Sequence, residues 1–372
     1  MTEKGLADVV AAQTHVSDID GKLGRLWYVG YDIHELAKSS TFEETVYLLH
    51  NRRLPNAGEL EGMTERLVLE RDLDEFTGGL MPTFGEVASP MSMLRTTVSA
   101  SSAYDPDGWD HSAEGTERKS IRLIARFPTM IATFHRLRSG LEPIPPNPKL
   151  PHAANFLAML LGEEPDEEAA RAFDICLILH ADHTMNASTF TARVIASTLS
   201  DVHSAVTGAI AALKGPLHGG ANEAVMAMLE EIDDVGRVEQ HVKDKLGRKE
   251  RIMGFGHRVY KTEDPRATHL RRLAQELGER VGETKWFEMS QRIEQVVMEE
   301  KGLYPNVDFY AASVYRYLGI PTDLFTTVFA ASRVSGWTAH VREQLEDNRL
   351  IRPESEYIGP RNQTYVPIEE RA

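Results

Sequence analysis

The chain has 372 residues, of which 42% are hydrophobic and 26% charged, and its formal net charge is −15 at pH 7. This acidic balance argues against general nucleic-acid binding, which needs a positive surface facing the phosphates. No apolar run approaches the roughly 18 residues of a membrane span, and the first four residues show no start of a secretory signal. Cys176 is the only cysteine, which excludes an intrachain disulfide. We therefore expect a cytoplasmic protein, and its length favours two domains.

Helices are predicted along most of the chain. Apolar residues recur at a spacing of three to four in nine segments, namely residues 42–49, 60–69, 121–137, 169–180, 202–213, 221–232, 270–277, 286–298 and 324–345. Start signals support several of them, such as Ser40-Thr41 before Glu43-Glu44. The alternating pattern of strands is limited to residues 14–19 and 365–368. The predicted fold class is all-α.

Glycine and proline divide the chain into parts. Breaks at residues 214–216 and 318–321 bracket the region 215–321, and a proline-rich stretch at 142–148 indicates a stiff connection. We predict that 215–321 is a smaller helical domain and that 1–214 and 322–372 form a larger one. A domain held by two such junctions can close over a substrate like a hinge.

Three ionisable side chains stand beside residues that punctuate or begin helices. His218 is followed by two glycines and the helix predicted from residue 221, His257 lies in Gly-Phe-Gly-His, and Asp308 follows Asn306 and Val307. Two imidazoles and a carboxylate suit concerted proton transfer near neutral pH. A helix N-terminus disfavours imidazolium, so His218 is expected to be neutral and to donate a hydrogen bond. The alternatives are two structural histidines and, for Asp308, a helix cap.

Basic residues are concentrated in one window. Residues 245–272 contain nine Lys or Arg side chains against three acidic ones, so the window carries +6 and the remainder −21. A cationic window in an anionic protein favours a polyanionic small molecule as ligand, although chance clustering on a solvated face would look the same. The chain has 29 Arg and only 12 Lys. This acidic, Lys-poor composition leaves a halophilic origin open beside an ordinary one.

The three residues belong to a longer ordered set of motifs. The set includes Gly-Pro-Leu-His-Gly-Gly-Ala-Asn, Asp-Pro-Arg and Pro-Asn-Val-Asp-Phe-Tyr, and it occupies residues 19–24, 30–33, 181–188, 215–222, 254–266, 305–310, 332–340 and 352–353. In this order the motifs resemble the citrate synthase family, in its dimeric archaeal and bacterial type, along nearly the whole chain. The resemblance implies a large and a small helical domain joined by a hinge.

The resemblance also implies a reaction. The family condenses acetyl-CoA with oxaloacetate and hydrolyses the citryl thioester, an acyl transfer that opens the citric acid cycle. By motif position Asp308 would remove a methyl proton, His218 would hydrogen-bond the thioester oxygen, and His257 would polarise and protonate the ketone. A carboxylate with a pKa of about 4 is a weak base for a carbon acid, so Asp308 would depend on the stabilisation that His218 supplies. No metal or redox cofactor is implied.

Four further motif positions would bind oxaloacetate, namely His183, Arg266, Arg333 and Arg352. Arginine meets a carboxylate with paired hydrogen bonds, which suits a dicarboxylate. In the family the last of these arginines reaches the site of the other subunit, which implies a homodimer. A structural salt bridge is the alternative for Arg333, which stands in an apolar segment. For His183 the alternative is a helix-end network or a metal-like cluster with His180.

The phosphates of coenzyme A would meet Arg258 and Lys261 in the basic window. The sequence departs from the family at two places. Val29 stands where Arg is common before Gly-Tyr, and Glu354 follows Arg352-Pro353 where a basic residue is frequent. The second departure argues against a phosphate contact from that segment and leaves this role to the 245–272 window.

Other functions stay open at this point. A 2-methylcitrate synthase would use propionyl-CoA with the same catalytic residues, because one methylene changes binding by only about 1–3 kcal/mol. His218, His257 and Asp308 could instead form a two-histidine, one-carboxylate iron site. A helical dimer that binds polyanions without catalysis is the remaining alternative.

Overall fold

The computed structural model describes residues 5–6, 9–85 and 87–371. Within these ranges the chain forms sixteen α-helices and one small three-stranded sheet. The predicted all-α fold is confirmed. None of the helices in the described ranges is long and apolar enough to cross a membrane.

The helices follow one another closely along the chain. The first eight are α1 (Ile33–Ser39), α2 (Phe42–Asn51), α3 (Ala57–Leu69), α4 (Glu75–Leu80), α5 (Pro90–Ser101), α6 (Ala113–Arg138), α7 (His152–Leu161) and α8 (Glu167–His180). The second eight are α9 (Ala187–Ser197), α10 (Val202–Leu213), α11 (Ala221–Ile232), α12 (Val238–Gly247), α13 (Pro265–Val281), α14 (Lys285–Lys301), α15 (Val307–Tyr317) and α16 (Phe325–Glu346). Short 3₁₀ turns cover Met81–Phe84, Ser102–Tyr104, Val235–Arg237, Thr322–Leu324 and Ile368–Glu370.

All nine segments predicted as helices are helical, and α10 and α11 have the predicted bounds. The start signal before α2 is confirmed, since the Thr41 hydroxyl accepts the amide N–H of Glu44 at 3.2 Å. Seven helices were not predicted: α1, α4, α5, α7, α9, α12 and α15. In α9 and α15 the sequence is rich in Ser, Thr, Val or aromatic residues, which favour helices weakly. Tertiary packing decides their conformation.

The sheet lies near the start of the chain. Strand β1 (Ser17–Asp20) pairs antiparallel with β2 (Arg25–Tyr28), and β2 pairs with β3 (Tyr31–Asp32). The strand predicted at 14–19 overlaps β1. The strand predicted at 365–368 is wrong, because this exposed segment runs into a 3₁₀ turn and pairs with no strand in the described ranges. Alternation alone cannot make a strand when no neighbouring backbone takes up its hydrogen bonds.

Helix α16 is the centre of the structure. It packs against α2, α6, α8, α9 and α10, and nearly all of its 22 residues are buried, including Trp337 and Arg333. A helix buried all round shows no polar face. The thiol of Cys176 in α8 is buried.

The glycine–proline breaks are loops, and the first of them leads to a catalytic candidate. Helix α10 ends at Leu213 and α11 begins at Ala221, so His218 lies in the short connection between them. Helix α15 is followed by Gly319 with a φ of +76°, a conformation that suits glycine. Helices α11 to α15, between the two breaks, pack against one another.

Candidate active site

One open cavity of about 1720 Å³ brings most of the predicted site residues together. Its wall includes the catalytic candidates His218, His257 and Asp308, and also His183, Arg266, Arg333, Arg258 and Lys261. We call His183, Arg266, Arg333 and Asp308 the buried end, since each is at most 8% exposed. Arg352 is exposed in the extended segment after α16 and does not line the cavity of its own chain.

The imidazole of His218 is held in one tautomer. Its Nε2 accepts the backbone N–H of Ser188 at 3.3 Å and lies 2.8 Å from the Ser188 hydroxyl. That hydroxyl also contacts Asn186 Oδ1 at 2.8 Å and accepts the indole N–H of Trp337 at 3.0 Å. With Nε2 as acceptor, the ring proton of the neutral form sits on Nδ1.

His218 is neutral at physiological pH. Burial lowers the pKa of its imidazole to about 4, and the positive charge of Arg333 acts in the same direction. The prediction of a neutral histidine is therefore supported, with burial and the charge of Arg333 as the causes.

His257 is held in the opposite tautomer. Its Nδ1 accepts the backbone N–H groups of Val259 at 3.0 Å and Tyr260 at 3.2 Å, so the proton sits on Nε2. Burial, followed by the charge of Arg266, lowers the pKa of His257 to about 4. The loop needs glycine just before it, because Gly254 has a φ of +82° and an added Cβ would lie 2.8 Å from the Phe309 ring.

Asp308 is the second residue of α15 and does not cap it. The cap is Asn306, whose Oδ1 accepts the N–H of Asp308 at 3.1 Å, so the alternative of a capping Asp308 is wrong. The carboxylate is buried, and its Oδ1 has no hydrogen-bond partner in the described structure. Burial raises the pKa of Asp308 to about 7, with Asp264 adding to the rise against the opposing charges of Arg266 and Arg333.

The two buried arginines are anchored differently. Arg266 forms a paired salt bridge with Asp264, at 2.9 Å through Nε and 2.7 Å through Nη2. Arg333 donates from Nε to the carbonyl of His180 at 2.6 Å and lies over the Phe329 ring. No ion pair of Arg333 occurs in the described chain, and its Nη2 is buried without a partner. The salt-bridge alternative for Arg333 is therefore wrong, and its guanidinium keeps hydrogen-bond donors for an anion in the cavity.

His183 faces the cavity beside His257. Its Nε2 lies 3.2 Å from the Tyr260 hydroxyl, and its ring packs edge-on against that of His257 with centroids 5.1 Å apart. Burial holds the pKa of His183 well below its usual range. The neighbouring His180 turns into the core and hydrogen-bonds the carbonyl of Cys176 at 2.8 Å.

The described residues contain no group of three or more His, Cys, Asp or Glu side chains placed to hold a metal ion. The metal-like cluster considered around His180 and His183 is therefore wrong, because the two rings point in different directions. An iron site built from His218, His257 and Asp308 gains no support from this geometry.

The basic window is only partly available to a ligand. Within it Arg248 pairs with Glu250, Arg271 with Glu263 and Glu294, and Arg272 with Glu276. The exposed basic side chains that line the cavity are Arg251, Arg258, Lys261 and, from the end of α14, Lys301. We call these four the basic end. Arg251 and Lys301 were not singled out from sequence.

Several residues that orient the site were also missed. Ser188 and Asn186 lie in the quoted 181–188 motif, and Trp337 lies in the 332–340 motif, but a motif does not say which side chain faces another. Asp264, in the Asp-Pro-Arg motif, pairs with Arg266. For Asp264 the available signal was its place two residues before Arg266, whereas the sequence offered no such signal for Ser188, Asn186 or Trp337.

Comparison with known proteins agrees with the site. A family model described as "Citrate synthase, C-terminal domain" matches residues 5–354. Citrate synthase 2 of Bacillus subtilis is 52% identical over 99% of both chains, and the citrate synthase of Haloferax volcanii is 49% identical over 99% of both. A protein of Bacillus subtilis called citrate/2-methylcitrate synthase is 44% identical over 97% of both chains.

A solved structure matches over the full length. The citrate synthase of Thermoplasma acidophilum, in a ternary complex with carboxymethyl coenzyme A and oxaloacetate, superposes with a TM-score of 0.95 at 36% identity and covers 100% of both chains. The fold, the full-length relatives and the cavity with its two histidines and one carboxylate agree. The chain therefore belongs to the citrate synthase family and is an acyltransferase of that family.

Proposed function

We propose that His218, His257 and Asp308 together condense acetyl-CoA with oxaloacetate and then hydrolyse the citryl thioester to citrate and coenzyme A. The observation that carries this proposal is a buried carboxylate of raised pKa in one cavity with two neutral imidazoles. The two tautomers leave one N–H on each ring, at Nδ1 of His218 and at Nε2 of His257, for an oxygen of each substrate.

Condensation begins with removal of a proton from the acetyl methyl group by Asp308. A pKa of about 7 makes this carboxylate a stronger base than an exposed aspartate. Charge develops on the thioester oxygen, where the Nδ1–H of His218 donates a hydrogen bond, an interaction that stabilises a transition state by about 3 kcal/mol. The methyl carbon then bonds to the ketone carbon of oxaloacetate.

The ketone oxygen becomes a hydroxyl in this step. His257 polarises it through Nε2–H and supplies the proton, and the proton held by Asp308 restores the imidazole through solvent, so that the step conserves protons. Water then attacks the thioester carbon, the C–S bond breaks, and the coenzyme leaves as a thiol. These groups supply the proton transfers and the charge stabilisation, so we include no metal or redox cofactor in the proposal.

Oxaloacetate binds at the buried end. Arg333, whose buried Nη2 has no partner in the described structure, binds one carboxylate. Arg266 and His183 complete the oxaloacetate binding site. Part of the charge of Arg266 is balanced by Asp264, whereas Nη2 of Arg333 has no partner among the described residues, which makes Arg333 the stronger anion contact. Removing water around these charges strengthens each contact with a dicarboxylate.

Arg352 completes the oxaloacetate site of the partner subunit in a homodimer. In its own chain it lies in an extended surface segment, away from the cavity. The same segment exposes large apolar side chains, with Tyr357 60% and Ile358 92% exposed. Such side chains on an extended arm favour packing against a second copy of the chain.

The phosphates of coenzyme A bind at the basic end. Arg258 and Lys261 come from the loop that carries His257, so phosphate binding and ketone polarisation share one element. The long exposed side chains at this end suit a charged and flexible carrier.

Substrate binding closes residues 215–321 against residues 1–214 and 322–372. The catalytic trio lies in the first part, whereas His183 and Arg333 lie in the second. The open cavity of about 1720 Å³ exceeds the range of about 300–1,000 Å³ that is usual for ligand pockets. Closure would bring the groups together and exclude water.

Two finer points complete the proposal. The cytoplasm is the compartment that we propose, on the grounds of a single buried thiol.

Propionyl-CoA is the alternative acyl donor, because relatives that are named for 2-methylcitrate match at full length. Comparing kcat/KM for acetyl-CoA and propionyl-CoA separates the two activities, and a higher value for propionyl-CoA would replace the first proposal with the second.

The test of the catalytic roles is thiol release by metal-stripped protein given acetyl-CoA and oxaloacetate. The only thiol of the protein is buried, so its background is small. We expect release that needs both substrates and persists with a chelator. Asp308→Asn should lower kcat about 10²-fold or more, whereas the exposed control Asp72→Asn should leave it unchanged. Near-full activity in Asp308→Asn, or strict dependence on added iron, would overturn the assignment.

A further inference from the structure

The loop between α8 and α9 supports both substrate sites. It carries His183, which faces His257, and it leads into Ser188, which holds His218. The residue beside His183, Asp182, is fully buried and does not line the cavity. Its carboxylate has no part in the chemistry proposed above, and a buried charge needs compensating partners.

One oxygen of the Asp182 carboxylate, Oδ2, is the acceptor for several hydrogen-bond donors. Its Oδ2 accepts a short bond from the hydroxyl of Ser17 in β1 and the N–H of Thr184 at 3.1 Å. It also lies 3.3 Å from Nε2 of His340 in α16. Burial opposes ionisation of Asp182, yet His340, Arg333 and Ser17 together hold its pKa below the usual range. The carboxylate thus ties the loop to β1 and to α16.

Thr184 has a strained backbone that these contacts hold in place. Its φ is +48°, in the left-handed region that a β-branched residue rarely adopts. Its N–H is shared between Asp182 Oδ2 and Ser17 Oγ, each at 3.1 Å. This turn lies between His183 and Asn186, so its conformation sets the direction of both.

A series of hydrogen-bonded buried side chains holds His340, the residue of α16 that contacts the Asp182 carboxylate. Arg193 donates to Nδ1 of His340 at 3.2 Å, so in neutral His340 the proton sits on Nε2 and points to Asp182. The same Nη1 of Arg193 binds Glu343 at 2.6 Å. Asp182 Oδ2, His340, Arg193 and Glu343 are thus linked, whereas Asp182 Oδ1 is buried without a partner in the described structure. The linked groups restrict the orientation of the carboxylate.

Hydrogen bonds also hold the backbone of the loop at Ala181 and Asp182. Gly336 in α16 donates its N–H to the carbonyl of Ala181 at 3.1 Å, and a Cβ on this glycine would lie only 2.4 Å from that oxygen. The hydroxyl of Tyr28 accepts the N–H of Asp182 at 3.1 Å. The position of Asp182 is therefore determined from three sides, by β1, β2 and α16.

We propose that Asp182 is a positioning residue, which holds the left-handed turn at Thr184 and so aims His183 at oxaloacetate and, through Asn186 and Ser188, orients His218. The inference rests on the proposed function, since it assigns a support to those two histidines. It makes the loop a shared support for the dicarboxylate and the thioester.

The test compares Asp182→Ala with the conservative Asp182→Asn in the full-length protein. Asp182→Ala should weaken oxaloacetate binding, measured by calorimetry, and lower kcat, each about tenfold or more. Asp182→Asn keeps an acceptor for Thr184 and should stay within about threefold of the native protein. KM for acetyl-CoA should change less than oxaloacetate affinity in both variants, because the four side chains of the basic end form no hydrogen bond or ion pair with residues 181–188 in the described structure, and misorientation of His218 should appear in kcat.

The double variant Asp182→Ala/Thr184→Asn separates positioning from general destabilisation. Asn accepts the left-handed conformation more readily than Thr, so the second change should recover much of the lost oxaloacetate affinity. Recovery is not expected if Asp182→Ala acts only by lowering the melting temperature.

Two results would overturn the inference: an Asp182→Ala protein with native kcat and oxaloacetate affinity, or a double variant no better than the single one. If Asp182→Ala does not fold, Ser17→Ala removes the second acceptor of Thr184 and should shift oxaloacetate affinity in the same direction. Absence of thiol release in the native protein would overturn the proposed function instead, and calorimetry with oxaloacetate would still report on Asp182.

Discussion

The buried end and the basic end of the cavity are built in different ways. At the buried end, side chains such as Arg333 and Arg266 are 1% and 2% exposed and are fixed by hydrogen bonds of 2.6 to 2.9 Å. At the basic end, Arg251, Arg258, Lys261 and Lys301 are exposed and form no ion pair in the described part of the chain. One end is preorganised for a small rigid ligand, whereas the other can adapt to a large charged one.

This difference between the two ends indicates where substitutions should change the activity most. Desolvated charges act over short distances and depend on geometry, so small displacements at the buried end should change catalysis strongly. Exposed charges act over several ångströms and are screened by salt, so changes at the basic end should be modest and should vanish at high ionic strength.

The largest effect is expected from Arg333→Lys. Lysine loses the Nε contact to the His180 carbonyl and the planar fork for a carboxylate, so KM for oxaloacetate should rise about 10²-fold, equivalent to roughly 3 kcal/mol. The matched control is Arg258→Lys at the basic end, which should change KM for acetyl-CoA less than about threefold. Equal effects of the two conservative changes, measured by steady-state kinetics, would remove the distinction between the ends.

The pH dependence follows from the raised pKa of Asp308. Its base form is needed, so kcat/KM should fall about tenfold per pH unit below about 7 and level off above it. Stability should show the opposite trend, because a folded pKa above the unfolded value stabilises at low pH and loses that contribution as pH rises through about 7.

Melting temperatures of the native protein and Asp308→Asn between pH 4 and 8 check the second trend, because the loss extends from the usual pKa of an aspartate, about 4, to the folded pKa of about 7. The native protein should lose stability relative to the variant as pH rises. A rate profile that is flat from pH 5 to 8 would mean that Asp308 does not act as the base.

A smaller effect is expected from Arg258→Ala/Lys261→Ala. Removing two exposed charges should raise KM for acetyl-CoA about threefold to tenfold at low salt and leave KM for oxaloacetate unchanged. The difference should shrink in about 0.5 M KCl, where the screening length is only a few ångströms. A loss of oxaloacetate affinity of the same size would show that the two ends are not independent.

The smallest effect concerns the hairpin that supports the buried end. Val29 joins β2 to β3 with a φ of +51°, which disfavours a β-branched residue, and Gly30 follows with +83°. Val29→Asn should stabilise the fold by roughly 0.5–1 kcal/mol and raise Tm by about 1–4 °C without changing kinetics. Val87→Asn, at a side chain 97% exposed, is the control in thermal unfolding. A lower Tm for Val29→Asn would show that the packing of Val29 outweighs its strain.

The sequence predicted the fold and the candidate site to different extents. Periodicity found helices such as α10 and α11 with their bounds, because their apolar faces meet a core. It missed α15, whose aromatic and β-branched residues favour strands locally, and it missed β2 and β3, which pair over very few residues. Ordered motifs located eight of the nine predicted site residues on one cavity. The roles of these residues in catalysis and binding stay predictions, as do the role of Arg352 and the homodimer, which depend on a second chain.

The sequence by itself determined the helical class, the loops at the glycine–proline breaks and the residue types of the site, because these depend on local spacing and side-chain chemistry. Only the tertiary structure decided which ring nitrogen of His218 carries the proton, since the backbone N–H of Ser188, 30 residues earlier in the chain, selects its tautomer. The tautomer of His257 is selected locally, by the backbone N–H groups of Val259 and Tyr260, once the loop has its folded conformation. It also decided the raised pKa of Asp308, which comes from burial under several helices and not from any neighbour in the chain. The tertiary structure also decided that about half of the basic residues in the 245–272 window pair with acidic side chains. The order of charges along a sequence does not show which charges meet in space.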